Sequence, residues 1–389
     1  MKKGILLILI LAAVFQVSAR NGGISFEKGS WQEIRQKAIA EKKLIFADFY
    51  TEWCGPCLAM AEEVFPSMEV GNLYNAHFVN VKIDAEKGEG KELRDKYRVV
   101  SYPTFLFIDP VTEEIVHRSS SRQDQETFLF TGTSALNPEL RSVNLEREYN
   151  SGNRNRRLLG RYMDYLASMY KRDQVEVLVK EYVVLPDFSL ENKADWEVFL
   201  KHINGTENSF FQEVLNQRDK YVTLYTSEVV DGKLFREFNI PGDMEVLRNA
   251  PDFQGKEFLS LKNEAENHLR GKNYQAAIPL LDSLMKDPGD FKEELCRYLK
   301  FTARSVLYGE HPDFWLKKCA EYAQFVAYNS YDRQDATIHY DYAMILEKLI
   351  RSVPDAARYF PASIVKQPEK GTKGYSMRSP KLKQKPQKK

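Results

Sequence analysis

Phe46-Ala47-Asp48-Phe49-Tyr50-Thr51-Glu52-Trp53-Cys54-Gly55-Pro56-Cys57 is an apolar run that ends in two cysteines separated by Gly-Pro. Residues 44–50 are almost continuously apolar, the pattern of a strand buried on both faces of a sheet. Residues 58–65 behind the cysteines read as helix, and Pro66 interrupts it because proline has no amide hydrogen to donate. The two thiols therefore fall where a buried strand turns into a helix.

Upstream, Ser30-Trp31-Gln32-Glu33 fits a capping box, in which the serine and the glutamate three residues on satisfy each other's amides. Trp31, Ile34 and Ala38 then share one helical face, and the helix should run to about Lys42. Downstream, strands are expected at 78–84, 104–108 and 114–117, with helices at 67–74, 90–97 and 123–136 and a turn at Asp109-Pro110. Strands alternating with helices and closing on a hairpin argue an α/β sheet domain. We place it at residues 20–138.

A Cys-x-x-Cys pair at a helix start has specific chemistry. Unpaired amides and the helix dipole favour an anion on the first sulfur. The thiol pKa falls there from about 8.5 to about 7 or below, and the thiolate is the attacking species. Cys54 can attack a disulfide, and Cys57, one turn deeper, can resolve the mixed disulfide. Pro56 suits a first helical turn, where its missing amide costs nothing, and Gly55 leaves the approach uncluttered. Two other readings compete. A zinc site usually needs four ligands and this pair supplies two, with no second pair and none of the six histidines nearby in sequence. A purely structural disulfide across so short a loop would add little stability.

The run Asp48-Phe49 to Trp53-Cys54-Gly55-Pro56-Cys57 resembles the active-site strand and turn of thioredoxins, and Tyr102-Pro103-Thr104 resembles that family's cis-proline loop. The resemblance covers about residues 24–136. It implies a thioredoxin-like fold, with Cys54 as nucleophile and Cys57 as resolving thiol. It further implies a cis Pro103 that brings the Tyr102 backbone against substrate, and a Trp53 that shields the pair. Asp48 takes the place of the family's buried acid, where desolvation would raise its pKa and suit it to accept the Cys57 proton. Three departures stand out. The lysine that often partners this acid falls on Asn80 here. Tyr102 is bulkier than the usual residue before the proline. The break at 64–66 is more like exported and membrane-linked thioredoxin-like domains.

The chain has 389 residues, a net charge of about +1 and four cysteines. Its length calls for more than one domain, and its charge gives no general attraction to nucleic acid or membrane. Lys2 and Lys3, the apolar residues 5–15 and Val17-Ser18-Ala19 read as a signal peptide at residues 1–19, with a retained N-terminal anchor as the competing reading. The protein is thus expected to be exported, periplasmic or secreted, and not membrane-spanning once the signal is removed. Residues 142–360 read as an all-α domain. Within it, Gly271 to Ile278 is similar to the second half of a tetratricopeptide repeat. One copy is present rather than three, and an ordinary helical hairpin is the simpler reading. Cys296 and Cys319 would lie about 8 Å out of step along a helical hairpin, so two buried thiols are expected rather than a bond. Residues 366–389 carry nine Lys or Arg against one Glu and three prolines, a basic tail that cannot bury a core.

Together these features lead us to expect an exported thiol–disulfide oxidoreductase, by resemblance a reductase. Its partners would be protein disulfides and a membrane-linked thiol donor, with no nucleic acid, cofactor or metal. The rival is an interaction module in which the helical domain binds partners and the thioredoxin-like domain is a scaffold.

Overall fold

A computed structural model describes residues 22–240 and 244–352. The signal segment at 1–19 and the basic tail at 366–389 lie outside the described residues.

The N-terminal third follows the order β1 (Phe26–Glu27), α1 (Trp31–Glu41), β2 (Leu44–Tyr50), α2 (Gly55–Ala59), α3 (Met68–His77), β3 (Phe78–Asp84), α4 (Glu89–Lys96), β4 (Thr104–Ile108), β5 (Ile115–Ser120) and α5 (Gln125–Leu136). The sheet order is β1-β3-β2-β4-β5. The β1–β3 and β3–β2 pairs are parallel, and the β2–β4 and β4–β5 pairs are antiparallel. The mixed sheet and the later helices bear out the expected fold class. The two-residue β1 is not visible in the sequence pattern.

β2 sits in the middle, and period-two alternation gives it two cores. Ile45, Ala47 and Phe49 pack with Trp31, Ile34 and Ala38 of α1 and Leu93 of α4. Phe46 faces the other way, into a cluster with Met60, Val64, Tyr74, Phe105, Phe107 and Phe128. There the Tyr74 and Phe128 rings stack at 4.6 Å, and the Tyr74 hydroxyl donates to the Phe128 carbonyl at 2.9 Å. The capping box at Ser30 forms as read, the Ser30 amide donating to Glu33 Oε2 at 2.8 Å. Gly71 is required by close approach, since a Cβ there would lie 2.3 Å from the Gly23 carbonyl oxygen.

The helix after the cysteines changes character before Pro66. Residues Met60–Val64 form a π-turn, closed by the Phe65 amide donating to the Met60 carbonyl at 2.9 Å. Wider π-turns of this kind occur mostly as single turns inside α-helices, frequently at functional sites.

The division into compact units falls between Phe211 and Gln212, not where strands give way to helices. Four further helices belong with the sheet: α6 (Ser142–Asn150), α7 (Arg156–Ser168), α8 (Arg172–Val183) and α9 (Lys193–His202). The physical reason lies at the edge strand. The Arg118 amide of β5 donates to Ser142 Oγ at 2.9 Å, and the Ser142 amide donates to Nδ1 of the buried His117 at 3.0 Å. An edge that would otherwise expose its ladder is thus capped by the start of α6.

The second unit is helical among its described residues. Lys256–Arg270 packs on Tyr274–Lys286, with Ala277 fully buried, and Lys292–Arg304, Asp313–Asn329 and Ala336–Ser352 pack in series. Cys296 and Cys319 are buried free thiols, as expected. Residues 209–225 form two helices, Ser209–Asn216 and Arg218–Tyr225, with the break at Gln217. Ser227–Asn239 escapes sequence reading because its buried face carries charge. Asp231 is bonded twice by Arg218 at 2.7 Å, and Lys233 pairs with Glu237 at 2.7 Å. A hydrophobicity pattern scores such positions as surface. No described helix is long and apolar enough to cross a membrane.

Candidate active site

Cys54 is the N-cap of α2, with Gly55 and Pro56 in its first turn. Its sulfur accepts the Cys57 amide at 3.1 Å, and Cys54 and Cys57 are joined as a disulfide. Both are nearly buried, at 4% and 5% exposure. The strand-to-helix junction makes this geometry: β2 delivers the chain to Thr51, whose carbonyl accepts the Cys54 amide at 3.2 Å. A Cβ at Gly55 would meet nothing within 4 Å, so this side of the bond faces open space. On reduction, a thiolate at Cys54 would keep the Cys57 amide and gain from the helix start. Among the described residues no group of three or more His, Cys, Asp or Glu is placed to hold a metal.

Trp53 is 70% exposed, yet it is fixed. Its Nε1 donates to Glu86 Oε2 at 3.0 Å, and its ring stands edge-on to Tyr102 at 6.1 Å. Tyr102-Pro103 is a cis peptide. The Pro103 carbonyl accepts the Ser121 amide at 3.1 Å, and Thr104 Oγ1 donates to the Ser101 carbonyl at 2.7 Å. The structure therefore brings Trp53, Cys54, Tyr102 and Pro103 to one end of the sheet. Glu86 was invisible to sequence reading, being an ordinary surface acid until the fold sets it beside the indole.

Asp48 lies on β2 and is buried. The expectation that its partner position holds Asn80 is corrected. The β2–β3 register pairs Phe46 with Asn80 and Asp48 with Lys82. Lys82 Nζ donates to Asp48 Oδ2 at 2.8 Å, while Asn80 bonds Asn75 and the Ser25 carbonyl. The ammonium also sits 5.2 Å from the centre of the Phe26 ring, 4.8 Å from Tyr50 and 4.9 Å from Phe65. Aromatic faces attract a cation and hold the chain over the carboxylate. Burial pushes the Asp48 pKa up, and the Lys82 charge and hydrogen bond pull only part of the way back. Asp48 Oδ1 is buried without a hydrogen-bond partner. A proton acceptor poised above the usual carboxylate range is what this arrangement offers.

A mixed sheet with a Cys-Gly-Pro-Cys disulfide at a helix start and a cis-proline beside it defines a thioredoxin-fold domain. The thioredoxin family model matches residues 25–129, which form a thioredoxin domain. Thioredoxin-1 of Drosophila melanogaster is 44% identical over 69 residues, 18% of this chain and 60% of that protein. Protein disulfide-isomerase C17H9.14c of Schizosaccharomyces pombe is 30% identical over 119 residues, 30% of this chain and 31% of that one. A solution structure of a candidate disulphide-isomerase from Bacteroides thetaiotaomicron is 42% identical, covering 30% of this chain and 96% of that one, with a TM-score of 0.28. The chain spans 60% of the length of the first curated relatives it matches.

Proposed function

We propose that the protein is an exported thiol–disulfide oxidoreductase that reduces disulfides in other proteins through a mixed-disulfide intermediate. The observation that carries this reading is the Cys54–Cys57 bond at the start of α2, with the Cys57 amide on the Cys54 sulfur. In the reduced pair, the Cys54 thiolate attacks one sulfur of the substrate disulfide. That S–S bond breaks, the other substrate sulfur leaves as a thiolate, and Cys54 is bonded to the substrate. Asp48, ionised, accepts the Cys57 proton. The Cys57 thiolate then attacks the Cys54 sulfur, releasing the second substrate thiolate and leaving the Cys54–Cys57 disulfide. The substrate has gained two electrons and the pair has lost them. A dithiol donor must return the electrons, and outside the cytoplasm a membrane-linked donor fits.

Trp53, Gly55, Pro56, Tyr102 and Pro103 form the face on which the substrate chain lies. The signal-like residues 1–19 support export, where such a donor would be needed. Reduction of a disulfide-bonded protein by dithiothreitol should be accelerated by wild type and not by Cys54→Ser; equal rates would sink the reading. Cys57→Ala should trap mixed disulfides with its substrates and so name them.

A further inference from the structure

A pocket of about 370 Å³ is lined by Glu63, Ser121, Arg122, Gln123, Asp124 and Tyr170. Five of these belong to the thioredoxin domain. Tyr170 comes from the turn between α7 and α8, outside the residues the family model matches. Ser121 is the residue whose amide holds the Pro103 carbonyl, so the pocket begins at the cis-proline loop. Trp53 packs on that loop through Tyr102. The loop therefore touches both the indole beside Cys54 and a residue of the pocket wall.

The pocket wall is built rather than incidental. Gln123 is 1% exposed. Its amide N–H donates to Met60 Sδ at 3.2 Å, three residues beyond Cys57. Its Nε2 donates to Ser119 Oγ at 2.8 Å and to the Ser168 carbonyl at 3.3 Å, and its Oε1 accepts from Thr131 at 3.0 Å. One buried residue thus joins four segments: its backbone amide reaches the turn after the redox helix, and its side chain reaches β5, α5 and the end of α7. Beyond Ser168 the turn is closed by the Tyr170 amide on Ala167 at 2.9 Å and the Lys171 amide on Leu166 at 3.0 Å. Tyr170 takes a left-handed φ of 57°, which a bulky residue rarely adopts, and its side chain is 58% exposed. The charges in the wall are already matched. Arg122 pairs with Glu63, and Asp124 caps α5 by accepting the Thr127 amide at 2.8 Å. A charged occupant would gain little there, whereas an apolar one would cover the ring.

We infer that Tyr170 is a specificity-determining residue for substrate. A polypeptide attacked at its cysteine by Cys54 runs past Pro103 and seats a large apolar side chain, from the residues flanking that cysteine, against the Tyr170 ring. The helical segment thereby favours extended protein chains with apolar residues beside their cysteines. The inference rests on the oxidoreductase reading above.

The test uses the full chain and two disulfide-linked peptide substrates, alike except that one carries Phe and Leu and the other Gly beside the cysteine. The quantity read is the ratio of their kcat/KM values, taken within one variant so that any change in folded fraction cancels. Wild type should prefer the apolar peptide by about tenfold, the discrimination an apolar pocket supplies. Tyr170→Ser should bring the ratio close to one, and Tyr170→Phe should keep it. A wild-type ratio of one, a ratio unmoved in Tyr170→Ser, or an equal loss in Tyr170→Phe would overturn the inference. Wild type that reduces a small aromatic disulfide shows the oxidoreductase reading intact whichever way the ratio falls. Wild type that reduces neither peptide nor the small disulfide refutes that reading and takes this inference with it.

Discussion

His117 should make the thioredoxin domain lose stability in acid, and Asn in its place should remove the effect. The imidazole is 1% exposed, and its Nδ1 accepts the Ser142 amide at 3.0 Å, so the folded chain holds it neutral. Burial, with the nearby Arg141 charge, lowers its pKa to about 3 from the ordinary 6.5. Between these values the unfolded chain binds the proton and the folded chain does not. The stabilisation is therefore full above pH ~6.5 and is lost as pH falls toward ~3. From pH 7 to pH 4 the loss comes to about 3 kcal/mol, at about 1.4 kcal/mol per pH unit. Asn carries an acceptor near the same place and does not titrate. Other titrating groups act alike in both proteins, so the difference between their pH dependences isolates His117. Trp31, Trp53 and Trp196 lie in one compact unit and Trp315 in the other, so total fluorescence would mix two transitions. Pulsed hydrogen exchange on the β4–β5 peptide during urea unfolding reads the right one. If His117→Asn loses as much stability as wild type between pH 7 and pH 4, within about 0.5 kcal/mol, the argument fails.

Asp48→Asn should raise stability at pH 8. The raised pKa means the folded chain binds more protons than the unfolded one above 3.8, so wild-type stability falls as pH rises through the folded pKa. The gain should shrink to nothing below about pH 3 by the same linkage, and urea midpoints at the two pH values check it. The same variant should slow resolution of the mixed disulfide by about 100-fold at neutral pH, measured by single-turnover release of substrate thiol. Lys82→Met removes the group that pulls the Asp48 pKa down, so the pH midpoint of that resolution step should move upward; an unmoved midpoint would mean the ion pair does not tune the acid. Gly71→Ala should cost about 1–3 kcal/mol in urea unfolding, because its Cβ would overlap the Gly23 backbone.

The redox pair, three strands to the residue and the capping box at Ser30 were legible in the order of the residues. Each is a local pattern: apolar runs, turn residues and cap spacings act within a few residues of chain. The same order marked Tyr102-Pro103, where the structure has its cis peptide. What the tertiary structure alone decided are the pairings between distant segments. The register of β2 on β3 gives Asp48 to Lys82 rather than leaving it opposite Asn80, and a two-residue slip keeps the same face, so no face-counting argument could detect it. Glu86 under the Trp53 indole, His117 under the start of α6, and Tyr170 beside the loop after β5 are ordinary surface letters in the sequence. Their roles come from burial and proximity across 25 to more than 45 residues of chain. The compact unit also extends to Phe211, because α6 caps the β5 edge, a contact that neither hydrophobic period nor helix propensity encodes.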